Sequence, residues 1–396
     1  MATLTVDQYT ENVERAFKAK QGVELGKLLS LRDEHVLSRP LQLCEIPLLV
    51  KGKGIAPIFD IVVAHLLCIK SIKSKDYIEA SARQSACVAS VVKLLQAQPE
   101  ENWCLPLMYT VCVDLRLLAQ AAEINDTILR GKTLEKAAES LLNCFRVCSA
   151  DNRTAMQVTK RVGMLNVVNQ LLKVYFRIRQ LNLCKPLIRA IEASPMKDAF
   201  PQSQKITYKF FVGRKAVIDS DYKTADECLT YAFQMCNKDS AKNKRVILTY
   251  LVPVKMILGY MPSIDILQKY DLMQFDKLVT AVKAGNIQGI DDALTEHEGF
   301  FINSGIYLVV EKLKITGYRN LFRLVYLAEK KHVIDISLIQ AALMMMGQDV
   351  DADETQSLVA YLIYANKIKG YISLPHKKLV VSKQNPFPRL TTVGAV

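Results

Sequence analysis

The side chains able to carry chemistry fall into four groups, and the first three are not arranged for catalysis. GVELGKL, starting at Gly22, has the glycines and lysine of a phosphate-binding loop. It is one residue short and lacks a hydroxyl residue after Lys27, so its amides cannot cradle a phosphate. Asp291 and Asp292, with Glu296, His297 and Glu298, set acids beside a histidine. In a helical chain that pattern reads as a solvated helix face before it reads as a metal or acid–base centre. Cys144 and Cys148 stand one helical turn apart, which packs a helix face. None of the ten cysteines forms a CxxC pair, and with five scattered histidines there is no zinc pattern. HExxH, GxSxG and a GxGxxG following a strand are all missing from the sequence, so no common hydrolase, zinc protease or dinucleotide chemistry is announced and no cofactor is expected.

The fourth group is cationic. Lys367, Lys369, Lys377, Lys378 and Lys383 lie in a stretch that holds no acid from Thr355 to the end, with Arg319 and Arg323 upstream as neighbours. Between them, His332 to Glu354 carries five acids and no Lys or Arg, so basic charge brackets an acidic segment in a chain of net charge +13. Lysine ammoniums act as point charges on phosphate, which suits nucleic acid bound without sequence preference. Tyr371 and His376 could stack on a base. The helix expected over Asp353–Asn366 begins with acids that repel phosphate, which argues against duplex readout in a groove.

These groups need elements to hold them. YANKIKGYISLPHKKLVVSK reads as a helix end, a strand, a tight basic turn and a second strand. Helical periodicity upstream predicts helices over Arg319–Lys331, Ile336–Met346 and Asp353–Asn366. Three helices and a hairpin make a winged helix. Earlier the chain reads as helix after helix. KDYIEA (Lys75–Ala80) and SDYKTA (Ser220–Ala225) repeat one turn between amphipathic runs, and related turns fall near Leu181 and Gly285, as in a degenerate tetratricopeptide-like array. Tyr in the turn wedges the pair while Ala lets the helices approach. Loops are expected over 39–57, 98–102, 125–132, 193–204 and 238–244, and Pro253 and Pro262 are expected to punctuate the late helices. Leu165, Val168, Leu172, Tyr175 and Phe176 form a stripe expected to be core. The sequons at Asn125 and Asn152 carry no consequence in a reduced intracellular protein, which is the compartment the cysteine usage suggests. The longest apolar run, Ile55–Ile69, contains Asp60 and His65, so no membrane span is expected.

Helical repeats running into a winged helix resemble PCI domains. The blocks ENWCLPLMYTVCVDLRLLA, LEKAAESLLNCFRVCSAD, LCKPLIRAIE, NKRVILTYLVPVKMILGYMP and IKGYISLPHKKLVVSKQNPFP resemble the PCI domain-containing protein 2 family more closely, over nearly the whole chain. That family is similar to the yeast Thp subunit of the transcription-and-export (TREX two) complex. The resemblance implies a mostly α fold, a helical-repeat solenoid ending in a winged-helix subdomain. It places N-terminal repeats over residues 1–205, the helical part of the PCI domain over 206–317, the winged helix over 318–390 and a frayed tail over 391–396. It implies a non-enzymatic scaffold in nuclear messenger RNA export, at nuclear pores and partly cytoplasmic. Its implied partners are a large Sac/GANP-like PCI subunit and a small acidic Dss/Sem-like protein. The large partner is expected near Tyr361, Tyr364, Leu379 and Val381, and the acidic one near Lys209, Arg214, Lys215, Lys242, Lys244 and Arg245. The alternative is a PCI scaffold of the proteasome-lid or signalosome kind that binds only protein.

Overall fold

The structure, a computed structural model, describes residues 5–43, 58–98, 101–126, 131–153 and 155–393. It divides into two compact units, residues 1–208 and 209–396, close to the boundary expected at 205/206.

The first unit holds α1 (Val6–Lys18), α2 (Gly22–Leu28), α3 (Arg39–Leu43), α4 (Ile58–Lys73), α5 (Tyr77–Ala97), α6 (Leu105–Asn125), α7 (Lys132–Ser149), α8 (Met164–Arg177) and α9 (Cys184–Glu192). α4 packs on α5, α5 on α6 and α7, and α6 on α7 and α8. Their shared core includes Ile61, Leu66, Cys87, Val91, Met108, Val111, Leu115, Leu141, Cys144 and Val168, all fully buried. Of the predicted stripe, Leu165, Val168, Leu172 and Tyr175 are part of that core, while Phe176 is half-buried. Arg39–Leu43, expected as loop, is α3; the rest of the expected loop, 44–57, lies outside the described residues. Among the described residues α6 is the one helix long and apolar enough to cross a membrane, in place of the 55–69 run. Its apolar window is 56% buried inside the protein, and it carries Asp114, which pairs with Arg32 at 2.7 Å.

The sequence repeat is a structural repeat of turns. Lys75, Ser220 and Gly285 are left-handed (φ 60°, 61° and 67°). The next amide reaches back to the carbonyl five residues earlier: Asp76 to Ser71 at 3.0 Å, Asp221 to Ala216 at 2.9 Å, Asn286 to Ala281 at 3.0 Å. The same residue then caps the following helix through its side chain, which accepts from the amides of Glu79, Thr224 and Gly289. One residue thus closes one helix and opens the next. Ala80 and Ala225 are fully buried behind the turns, and Tyr222 is buried in its turn while Tyr77 is half-buried. Arg179 repeats the left-handed step near Leu181 but leads into a 3-10 turn instead.

The glycines of GVELGKL serve packing. A Cβ on Gly22 would fall 1.7 Å from the Trp103 carbonyl oxygen, and one on Gly26 3.2 Å from that of Pro106, so both let α2 lie close on the start of α6.

α10 (Gln202–Ile218) carries the chain into the second unit. There follow α11 (Tyr222–Met235), α12 (Ala241–Ile257), α13 (Ile264–Lys269), α14 (Asp276–Ala284), α15 (Ile287–Glu296), α16 (Glu298–Ser304) and α17 (Tyr307–Glu311). Pro253 sits inside α12 and does not end it; Pro262 falls in the link to α13. Ala241–Lys244, expected as loop, is the first turn of α12.

The winged helix comprises α18 (Leu313–Glu329), β1 (Val333–Asp335), α19 (Ile336–Met345), α20 (Ala352–Tyr364), β2 (Gly370–Ser373) and β3 (Lys378–Val381). Its sheet has three strands, antiparallel, in the order β1-β3-β2. Ile334, Leu379 and Ile372 align across it on the core face; Val333, Val380 and Tyr371 align on the outer face. β1 was not expected from the sequence. Ahead of and into the tail expected to fray over 391–396 the chain is held: Lys369 donates its amide to Pro386, Phe387 is buried, and α21 (Leu390–Val393) lies against Gly259.

Candidate nucleic-acid and partner interface

Antiparallel pairing decides where the cations go. The start of β1, the end of β3 and the start of β2 share one end of the sheet, since Val333 faces Val380 and Gly370 faces Val381. Lys330 and Lys331 precede β1, Lys369 precedes β2 and Lys383 follows β3, so four exposed lysines converge at that end. The linkage is tight: Ser382 donates its amide to Lys369 at 2.8 Å and Val381 to His332 at 2.9 Å. Lys377, at φ 50° in the hairpin turn, and Lys378 stand at the opposite end, roughly 13 Å away at 3.3 Å per residue. Lys378 is partly neutralised by Asp335 at 3.5 Å.

Two predicted phosphate ligands do not belong to this surface. Arg319 is buried; its guanidinium donates to the carbonyls of Phe387 (3.1 Å) and Pro388 (2.7 Å) and to Asn320 (2.9 Å), and it lies over the Phe387 ring. Burial, then the neighbouring charge of Arg323, lowers it to about 10. Lys367 is buried beside it, and burial with the Arg319 charge holds its pKa below the usual lysine range. Arg319 holds the tail segment through these two carbonyls. Arg323 remains exposed on α18. Lys330 and Lys331, absent from the residues expected to bind phosphate, join the cluster because β1 follows them. Their signal was present as two adjacent lysines, but without β1 they read as a helix end.

The predicted partner residues divide in the same way. Tyr361 and Tyr364 are exposed, at 41% and 76%. Leu379 and Val381 are buried at 0% and 3% because alternate residues of β3 point into the core, so they cannot contact a partner. The residues that face outward from this sheet are Val333, Val380 and Tyr371, with Tyr371 62% exposed.

On α10 and α12 the six cations expected to meet an acidic partner are mostly engaged. Lys215 is buried and paired with Asp219. Lys244 is buried with its ammonium 4.9 Å from the Phe233 ring centre. Arg214 is half-buried over the Tyr250 ring at 5.0 Å, and Arg245 binds the Asp271 carbonyl and carboxylate at 3.0 Å each. Lys209 is half-buried, and Lys242 is exposed.

The acid and thiol groups have structural work. Asp291 pairs with Lys314 and accepts from Gln348, and Glu296 takes two bonds from Lys277 at 2.8 and 2.7 Å. A groove of ≈ 530 Å³ between α14 and α15, lined by Asp276, Lys277, Asp292 and Glu296, is therefore partly neutralised. Cys112 and Cys144 lie 3.7 Å apart in the core of the first unit, fully buried. Burial pushes the thiol of Cys148 far above its ordinary range, which suppresses nucleophilic thiolate. Among the described residues no group of three or more His, Cys, Asp or Glu is placed to hold a metal ion.

Comparison with known proteins agrees with this architecture. The PCI domain family model matches residues 294–383, which takes in the winged helix and the helices leading to it. The chain is 48% identical to PCI domain-containing protein 2 of Xenopus laevis, covering 99% of this chain and 100% of the relative. It is 50% identical to the PCI domain-containing protein 2 homolog of Drosophila melanogaster, over 98% and 99% of the two. More distantly it is similar to Protein CSN12 homolog of Yarrowia lipolytica, at 27% identity over 96% and 98%. Helical repeats, winged helix and full-length identity lead to one conclusion: the chain belongs to the PCI domain-containing protein 2 family.

Proposed function

We propose that this PCI protein is a non-enzymatic scaffold subunit of a nuclear messenger RNA export complex of the TREX two kind. In this reading it acts at nuclear pores, joins a large Sac/GANP-like PCI subunit and a small acidic Dss/Sem-like protein, and holds RNA or DNA without sequence preference. The observation that carries the nucleic-acid part is the gathering of Lys330, Lys331, Lys369 and Lys383 at one end of the winged-helix sheet. Four mobile ammoniums on one rim suit a phosphate backbone and carry no code for base edges. Groove readout by α20 is disfavoured, because its first turn holds Asp353 and Glu354 and its cap is Asp351. Exposed Tyr361, Tyr364 and Tyr371 offer the aromatic anchors that protein interfaces favour. For the acidic partner, Lys242 is the exposed member of the α10–α12 set.

The test is purification of the tagged chain from nuclear extract, with its partners identified and RNA crosslinked in the same preparation. The reading expects a Sac/GANP-like subunit, a small acidic protein and crosslinked RNA together. A lid- or signalosome-like set without RNA would replace it by the second reading, a purely protein-binding PCI scaffold. The outer apolar row Val333–Val380–Tyr371 and the Lys378–Asp335 pair favour that second reading, since both suit protein contact better than phosphate.

A further inference from the structure

Helix α19 is largely apolar, with Ser337 and Gln340 as its two polar side chains. Ile336, Ile339 and Leu343 are buried in the winged-helix core. Leu338, Ala341, Met344 and Met345 point outward, with Leu338 39%, Met344 55% and Met345 83% exposed. A helix this apolar is normally enclosed. This one is covered on one face.

Its border is acidic. Asp335 is the N-cap of α19. Gln340 Nε2 donates to the Val350 carbonyl at 3.0 Å, which folds the following loop back along the helix and brings Asp349 and Asp351 beside it. Asp353 and Glu354 continue the border in the first turn of α20. Asp335 meets Lys378 at 3.5 Å, but among the described residues none of the other four acids is in an ion pair. This acidity stands out in a chain of net charge +13.

We propose that the outward face of α19 docks a basic amphipathic helix of a partner protein. Apolar residues of that helix at i, i+3 or i+4 and i+7 lie on Leu338, Ala341 and Met345, and its flanking Lys and Arg meet Asp349, Asp351 and Asp353. Methionine is unbranched and polarisable, so Met344 and Met345 repack around different apolar side chains. The same acids repel nucleic acid and anionic lipid, so this face is distinct in chemistry from the lysine cluster. It is also distinct in place, because α19 leaves β1 at the end opposite Lys330 and Lys331.

The full chain, labelled with carbon-13 at its methionine methyls, is titrated with a fluorescein-tagged designed helix of Leu, Ala and Lys. Its Leu residues are at i, i+3, i+4 and i+7. A Glu-for-Lys copy and a scrambled copy are controls. The Lys helix is expected to bind and to shift the Met344 and Met345 methyls, assigned by Met→Leu variants. Met345→Asp, and separately Asp349→Lys with Asp353→Lys, should each weaken it at least about tenfold, the loss typical of a central contact, with an unchanged melting temperature. Equal binding of either control, shifts confined to other methionines, or indifference to both variants would overturn the proposal. So would concentration-dependent sedimentation of the chain alone that Met345→Asp abolishes, since the occupant is then a second copy.

Discussion

The guanidinium of Arg319 donates to the Pro388 carbonyl at 2.7 Å, across 69 residues of sequence. A charge-assisted pair of this kind, doubled by the bond to Phe387 at 3.1 Å, fastens the end of the chain to the first helix of the winged helix. Arg319→Gln should cost about 1.5–3 kcal/mol per lost charged hydrogen bond. It should also open residues 386–393 to limited proteolysis while leaving nucleic-acid affinity nearly unchanged. Urea unfolding and mapping of the cleavage sites check both parts.

Val381 is 3% exposed and faces the core of the sheet. Val381→Asp should therefore unfold the winged helix, at a cost of several kcal/mol for a buried unpaired carboxylate, and loss of a partner in that variant says nothing about an interface. Tyr364→Ala and Tyr371→Ala, at exposed sites, should change stability by about 0.5 kcal/mol or less. Under the proposed function they should weaken co-purification of the large PCI subunit. Thermal unfolding alongside co-purification separates the two classes.

His65 is fully buried, with Nε2 3.1 Å from His35 Nε2 and its ring stacked on Tyr9. Burial first, then the His35 charge, lowers its pKa from 6.5 to about 3. The folded state therefore takes up this proton less readily than the unfolded state. Its contribution is complete above about pH 6.5 and is lost as pH falls toward 3, at about 1.4 kcal/mol per pH unit for one proton. His35 is lowered too, by burial opposed by Asp33, and adds in the same direction. His65→Gln should flatten the acid slope of stability by about one proton, measured by urea unfolding from pH 7 to 4.

Much of this was legible because local chemistry announced it. The N-capping aspartates of the turns at Asp76 and Asp221, and Gly370 and Pro375 around the hairpin, fix backbone geometry within a few residues. β1 was not legible, because VID is three residues long and follows a helix without a turn signal; only its pairing with β3 makes it a strand. The LVV of β3 read as a uniform apolar run, so which residues face inward waited on register. The burial of Arg319 and Lys367 was hidden because the Arg319 acceptors are backbone carbonyls, which no side-chain pattern reveals.

Gly22 tests the packing reading of the loop-like motif. A methyl group there meets a backbone carbonyl at 1.7 Å, an atom that cannot rotate away. Gly22→Ala should destabilise the first unit by more than about 2 kcal/mol through overpacking. Lys27→Ala, with its ammonium 3.5 Å from Glu24 on the surface, should change stability by no more than about 1 kcal/mol. Thermal melts of the two variants decide it, and neither should bind a nucleotide in equilibrium dialysis.

The proposed phosphate site is the end of the winged-helix sheet where Lys330, Lys331, Lys369 and Lys383 converge. Fluorescence anisotropy of a labelled single-stranded 20-mer, over a salt series, measures it directly. About four phosphate contacts predict a slope of about −3 in log affinity against log salt, alike for RNA and DNA of any sequence. Lys369→Glu with Lys383→Glu should weaken binding and flatten the slope by at least about 1.4, while Lys377→Glu at the far turn should have the smaller effect. A slope near zero, sequence-selective binding, or a slope unmoved by the Lys369 and Lys383 reversals would contradict the account.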